Sequence, residues 1–195
     1  MRADAEANRE KLLDAAAGLF AEQGVEAPFA LIAERAGVGK GTLYRHFADR
    51  DAVIVGLGER ARARFAEIGE EAASVASAWD AILVYIDGVV AMYVDMPWLV
   101  AIRPRARQLV PLDESAEEAM SAIIDRAWAE GSLRDDVDLD DLQYVPALLS
   151  GLVDLPEPRR ATVLARLRAI VLDGLRPENA PRMPLRERAS GQSTA

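Results

Sequence analysis

Apolar residues recur along the chain at intervals of three and four and nowhere alternate over a strand's length, so the pattern predicts an all-α fold. Over residues 5–23, Leu12, Leu13, Ala16, Leu19 and Phe20 form one helical stripe, with Gly24 placed to end it. Pro28 suits a first helical position, and Phe29, Ile32, Ala33 and Ala36 then repeat over about two turns before Gly37. Val38 plugs a turn. A third helix from near Gly39 to Phe47 sets Leu43 and Phe47 four apart on a buried side. Three short helices with a glycine turn between the last two make a helix-turn-helix unit. Asp49 is an N-cap for a long fourth helix through Val53, Leu57, Ala61, Phe65 and Ile68, which carries the chain into a second domain. Gly56 and Gly58 lower that helix's intrinsic propensity.

After the Ala/Ser-rich residues 72–78, Trp79, Ile82, Leu83, Ile86, Val89, Val90 and Tyr93 predict a nearly all-apolar helix that ends before Pro97 and is central to a second core. Trp98, Leu99 and Ile102, followed by Pro104 and Pro111, predict a short helix and a broken segment. Asp113 then caps a helix that buries Met120, Ile123, Ile124, Ala127 and Trp128 and stops at Gly131. Leu139, Leu142, Val145, Leu149, Leu152 and Val153 mark one further stripe, and Val163, Leu164, Leu167, Ile170, Val171 and Leu175 another. The break Leu155-Pro156-Glu157-Pro158 folds these two into a hairpin, and Pro146 should kink the first or delay its start. The expected organisation is a helix-turn-helix domain at residues 1–50, a helical domain at 51–176 and a disordered tail at 177–195.

Composition narrows the chemistry. With no cysteine and a single histidine, His46, thiolate metal sites, disulfides and cysteine nucleophiles are excluded, and no Ser/His/Asp or metal constellation remains. The expectation is a non-enzyme without metal or cofactor. No apolar run of membrane-spanning length is present and the N-terminus lacks a signal pattern, so no membrane partner and a cytoplasmic location are expected. The formal charge of −9 argues against indiscriminate coating of nucleic acid. Any DNA contact needs a local patch, which Lys40, Arg45 and Arg50 supply against Asp49.

Within that patch each residue has a physical role. A helix entering the major groove meets base edges with its N-terminal residues. Gly39 and Gly41 allow close approach, Lys40 and Arg45 bond guanine or phosphate, and Thr42 touches a thymine methyl or a phosphate. Tyr44, His46 and Arg50 reach backbone phosphates; for His46 the plainer role is capping its helix, and for Arg50 a solvated charge. A nucleotide-loop reading of residues 37–42 fails, since Glu34 stands where a P-loop needs glycine and no strand precedes it. Asp135, Asp136, Asp138, Asp140 and Asp141 lack the glycine and terminal glutamate of a calcium loop and read better as helix capping.

The run Ile32-Ala33-Glu34-Arg35-Ala36-Gly37-Val38-Gly39-Lys40-Gly41-Thr42-Leu43-Tyr44-Arg45-His46-Phe47 resembles the signature of the tetracycline-repressor family of bacterial transcription regulators, over about residues 9–54. Two departures are Ala27-Pro28, where that family usually has a threonine or serine cap, and Leu31, where it has a polar residue; Gly39 also replaces a common serine. The resemblance implies a second domain that binds a small effector and a final helix pair that dimerises. Candidates to line the effector cavity are Trp79, Tyr85, Met92, Tyr93, Met96, Trp98, Arg103, Met120 and Trp128, though aromatic and Met residues at this spacing also fill cores. Arg103, Arg105 and Arg107 together read more readily as a solvated run than as an anchor for an acidic ligand. Dimer candidates are Leu149, Leu152, Val163, Leu167, Ile170 and Val171. The implied function is a homodimeric repressor that reads a pseudo-palindromic double-stranded operator and is released by a small-molecule effector. The alternative is a helical dimer that mainly binds a small molecule or protein, with DNA contact constitutive or vestigial.

Overall fold

A computed structural model of the chain describes residues 2–110, 114–152 and 155–179. Among the described residues the elements are all helical: α1 Arg2–Gln23, α2 Ala30–Arg35, α3 Lys40–His46, α4 Arg50–Ala73, α5 Ala78–Asp95, α6 Trp98–Leu109, α7 Glu114–Ala129, α8 Leu139–Ser150 and α9 Arg159–Gly174. A 3-10 turn follows at Pro177–Asn179. None of these is a single helix long and apolar enough to cross a membrane.

Two apolar cores organise the helices. In the first, Leu12, Leu13 and Phe20 of α1, Ile32 of α2, Leu43 of α3 and the following Phe47 meet Val53, Ile54 and Leu57 of α4. That core continues into Val89, Met92 and Tyr93 of α5 and Trp98, Leu99 and Ile102 of α6. The second joins Trp79, Ile82 and Ile86 of α5 to Met120, Ile123 and Ile124 of α7, Leu142 and Leu149 of α8, and Leu172 and Leu175 at the end of α9. Helix α5 therefore belongs to both cores, and α4 leaves the first at Ile68 and enters the second at Ala72. The expected boundary at residue 50 coincides with the first turn of α4, where the helix axis runs on without interruption.

Local chemistry sets most element ends. Gly24, Gly37 and Gly131 adopt φ of 77°, 68° and 64°, values that L side chains resist, which stops α1, turns α2 into α3 and ends α7. Asp49 caps α4 by accepting from the Ala52 amide at 2.9 Å. Ser77 does the same for α5, accepting from Asp80 N at 3.2 Å. Asp138 and Asp141 form a reciprocal capping box on α8, while Asp136 holds Arg134, so these carboxylates serve the backbone and an ion pair. The proposed Asp113 cap lies outside the described residues, as do Val153 and the tail from residue 180 on.

Several expectations are corrected. Pro28 opens a tight turn, with Leu31 N donating to Pro28 O at 3.0 Å, and α2 proper begins only at Ala30. The predicted break near Pro104 does not occur, and α6 continues to Leu109. Pro104 stands on the solvent side and Val100, the acceptor it deprives, is 40% exposed, so water can satisfy that carbonyl while Trp98, Leu99 and Ile102 keep the other face buried. Pro146 likewise neither delays nor divides α8, which runs from its capping box at Asp138 to Ser150 with the proline ring buried against the second core. Residues 177–179, assigned to the tail, form an ordered turn.

Helices α4 and α5 approach each other at Gly88, where an added Cβ would stand 2.8 Å from Ile68 Cγ2 and 3.2 Å from Ile68 Cγ1. Ile68 is fully buried and cannot withdraw. At Gly69 a Cβ would meet nothing within 4 Å. Glycine-to-alanine changes at these two sites should thus have opposite signs. Gly69→Ala is expected to stabilise by up to about 1 kcal/mol through helix propensity. In Gly88→Ala an overpacking cost of about 1–3 kcal/mol outweighs the same gain. Urea unfolding of both variants checks this, and a Gly88→Ala protein as stable as the parent would contradict the close approach.

Candidate functional site

The turn before α3 is built by backbone alone. Gly37 supplies the left-handed residue, Val38 N donates back to Ala33 O at 3.0 Å, and Gly39, extended at φ −70°, accepts from Thr42 N at 2.9 Å and Leu43 N at 3.3 Å. Leu43 and Phe47 then anchor α3, leaving its other side outward. Lys40, Gly41, Tyr44 and Arg45 are exposed on that side and Thr42 is half-buried. Tyr44 is 54% exposed and its ring is propped edge-on by Phe29 at 5.6 Å. A Cβ at Gly39 or Gly41 would meet nothing within 4 Å, so the fold itself does not require these glycines, and they leave α3 low enough for another surface to approach closely. Lys40 and Arg45 have no ion-pair partner among the described residues, whereas nearby Arg35 is held by Glu22 at 2.5 Å.

Immediately after α3, the start of α4 is tied to α6. Arg105 Nε donates to Asp51 Oδ1 at 3.0 Å and its Nη2 to Asp51 Oδ2, a two-point grip. This contact holds the Asp51 carboxyl below the usual carboxylate range. The pair is therefore complete above that range and weakens only as pH falls through the depressed value.

A cavity of about 240 Å³ opens farther along α4, lined by α4, α5, α6, α7 and α8 and open to solvent on one side. Its walls are Gly58, Ala61, Arg62, Phe65 and Gly69 of α4, Tyr85, Val89 and Tyr93 of α5, and Leu99, Arg103, Ala106 and Arg107 of α6, with Val110. Glu117 and Met120 of α7 and Leu139 and Gln143 of α8 complete it. Gly58 brings α6's end close, since a Cβ there would lie 2.7 Å from Val110 Cγ2. Burial pushes the Tyr85 phenol up to about 12, so it remains a neutral hydroxyl.

Comparison with known proteins agrees with both halves of this arrangement. The profile of "Bacterial regulatory proteins, tetR family" matches residues 12–57, and that of "Transcriptional regulator SbtR-like, C-terminal domain" matches residues 85–177. An HTH-type transcriptional regulator of Staphylococcus aureus (strain USA300) is 49% identical over 51 residues, 26% of this chain. That match spans 28% of the curated relative's length. A TetR transcriptional regulator of Streptomyces coelicolor, solved as a crystal structure, is 31% identical with a TM-score of 0.51, covering 87% of this chain and 98% of that one. This chain belongs to the TetR family. A γ-butyrolactone receptor structure, "ArpA-like protein", shares 27% identity and a TM-score of 0.62 over 89% of this chain and 90% of its own.

In this TetR-family chain, two DNA-contact candidates are placed differently from the rest. Arg50 is turned back into the protein: Nη1 donates to Glu26 Oε2 at 2.6 Å and Nη2 to Ala27 O at 2.7 Å, and its Nε is buried. It buttresses the α1–α2 loop and is not the free phosphate clamp expected. His46, the last residue of α3, is half-buried with Nε2 enclosed and unpartnered, so that nitrogen is not presented to a phosphate.

Of the cavity candidates, Tyr85, Tyr93, Arg103 and Met120 line it. Met92 and Trp98 are buried in the first core, with Met96 packed against it. Trp79 is buried in the second core, stacked under Arg176 at 3.7 Å. Trp128 sits at the surface, where Nε1 donates to Arg134 O at 3.1 Å. Arg62, Phe65 and Gln143 lie outside the expected set, Arg62 because α4 reads as presenting a single apolar stripe; Arg107, read as part of a solvated run, also lines the cavity. On the last two helices Leu149 is 2% exposed and faces the second core, not a partner. Leu152, Val163 and Val171 are half-buried, while Leu167 and Ile170 are 37% and 58% exposed. Leu148, absent from the expected set, is 72% exposed.

Arg50 gives the sharpest test of this geometry. Arg50→Ala should lower stability by about 1–2 kcal/mol in urea unfolding, because two charge-assisted bonds to the α1–α2 loop are lost at a partly exposed site. Lys40→Ala should leave unfolding unchanged. If Arg50→Ala unfolded like the parent, the buttress would be disproved.

Proposed function

We propose that the chain is a homodimeric DNA-binding transcriptional regulator, a repressor that leaves its operator when a small molecule enters the cavity. The observation that carries this is the continuity of α4, capped beside α3 at Asp49 and forming a wall of the cavity from Gly58 to Gly69. Lys40, Thr42, Tyr44 and Arg45 are the residues that meet DNA, with Gly39 and Gly41 allowing approach. A patch this small in a chain of charge −9 binds weakly as one copy, and a dimer offering two copies gains by effective concentration. Its operator is then pseudo-palindromic, with half-sites separated by the spacing of the two α3 helices.

The mechanism is a population shift. An effector releases DNA only by binding better to a helix arrangement whose α3 spacing no longer fits the groove. The cavity walls of α4 and α6 are the elements able to report occupancy, since α6 also grips Asp51 at the start of α4. The residues 1–50 and 51–176 are in this view a functional division laid over a shared core. The dimer forms through α8 and α9, whose outward Leu148, Leu167 and Ile170 leave an apolar surface that a second copy covers. The protein works in the cytoplasm and has no catalytic role.

Operators selected from a random DNA pool provide the test. Lys40→Ala and Arg45→Ala should each weaken operator binding by about 1–3 kcal/mol, with a shallower salt dependence and unchanged helicity. Undiminished, equally salt-sensitive binding in both would refute the α3 assignment. Ile170→Glu should give monomers by light scattering, and a dimer that tolerates the charge would refute the α8/α9 interface.

A further inference from the structure

The cavity's cations indicate what chemistry it accepts. Arg62 of α4 and Arg103 and Arg107 of α6 line it against one carboxylate, Glu117, leaving two positive charges in excess. Acidic partners are plentiful in this chain, with 32 Asp and Glu against 23 Lys and Arg. Elsewhere arginines have found them: Arg60 holds Glu10 and Asp14, Arg105 holds Asp51, and Arg168 holds Asp87. Arg62 and Arg103 form no hydrogen bond or ion pair among the described residues. Arg107 has no carboxylate partner but donates through Nη1 to the Tyr144 hydroxyl at 3.2 Å, its guanidinium 5.1 Å from the ring centre.

The placement on α6 is selective. Positions 103 and 107 are one helical turn apart and share the cavity face, while 105 between them points the other way to Asp51. Like charges gathered at an apolar-walled space repel one another, and the repulsion is relieved when an anion enters. Guanidinium forks match the oxygens of a carboxylate or phosphate in pairs. Phe65, Val89 and Met120 offer the rest of the wall an apolar lining, and the neutral Tyr85 hydroxyl adds a donor.

We propose that the cavity binds a small amphipathic anion, its oxyanion head held by Arg62 and Arg103 and its apolar body by Phe65, Val89 and Met120. This rests on the reading of the cavity as the effector site and adds the ligand's charge and shape to it.

Calorimetric titration of the full chain with octanoate, octyl phosphate, octan-1-ol and octylammonium, which share one apolar body, tests the assignment. At least one of the two anions should bind about tenfold tighter than octan-1-ol, with octylammonium weakest, and the order of the anions identifies the head group. In the double variant Arg62→Gln/Arg103→Gln, anion and alcohol should converge on the affinity of the alcohol, which is itself unchanged. Arg105→Gln, whose side chain faces Asp51, should keep the full anion preference, and circular dichroism verifies that both variants fold. Equal binding of anion and alcohol to the parent chain overturns the charge assignment while leaving the cavity a binding site. If none of the four binds, the cavity reading falls, and the proposal falls with it.

Discussion

The structure depends on one constraint: α4 is a single helix shared by two cores. Its first half is locked among α1, α3 and α6 by Val53, Ile54 and Leu57, and its second half is pressed onto α5 where Gly88 admits Ile68. Packed interiors transmit displacement because they have little free volume to absorb it. The face of α4 from Gly58 to Gly69 borders the cavity, while its contacts with α5 at Ile68 and Gly88 are tight. Asp49 caps the start of that helix through the Ala52 amide, and Phe47, which follows α3, is buried in the same core as Val53, Ile54 and Leu57. In the proposed mechanism this shared packing of α4 is what would carry cavity occupancy toward α3.

Helix α6 closes the circuit. It packs on α1 and α4, lines the cavity with Arg103 and Arg107, and reaches the first turn of α4 with Arg105. One helix thus touches the cavity, the N-terminal core and the start of α4 within three alternating arginines. The Asp51–Arg105 pair is partly solvated, so its contribution to stability is modest and its value is geometric. It fixes the register of α6 against α4 in the arrangement described here.

The parts legible in the sequence were those decided by neighbours along the chain. Gly37 at positive φ, the Asp49 cap, the buried Leu43 and Phe47 and the exposed Lys40, Tyr44 and Arg45 all follow from local spacing within α3 and its flanks. The cavity was legible only in part, because it depends on which face each of five helices turns inward. Tyr85 and Tyr93 lie two turns apart on one face of α5 and line it, while Met92, one residue away, is turned about 100° into the first core. Arg50's pairing was illegible for a similar reason: a cation beside a DNA-reading helix suggests phosphate, but Glu26 and the Ala27 carbonyl, far off in sequence, hold it here. The proline breaks failed because a missing donor matters less when packing of the opposite face holds the helix.

Charge distribution links these observations. In a chain with excess acid, an arginine left unpaired is more informative than a paired one, since partners are available nearly everywhere. Among the described residues, Arg45 with Lys40 on α3 and Arg62 with Arg103 at the cavity are such groups, lying at opposite ends of the α4 segment that runs from Asp49 to Gly69. A net charge of −9 works against non-directional attraction of anions or nucleic acid to the chain as a whole. In the proposed dimer the small α3 patch gains from a second copy of itself by effective concentration.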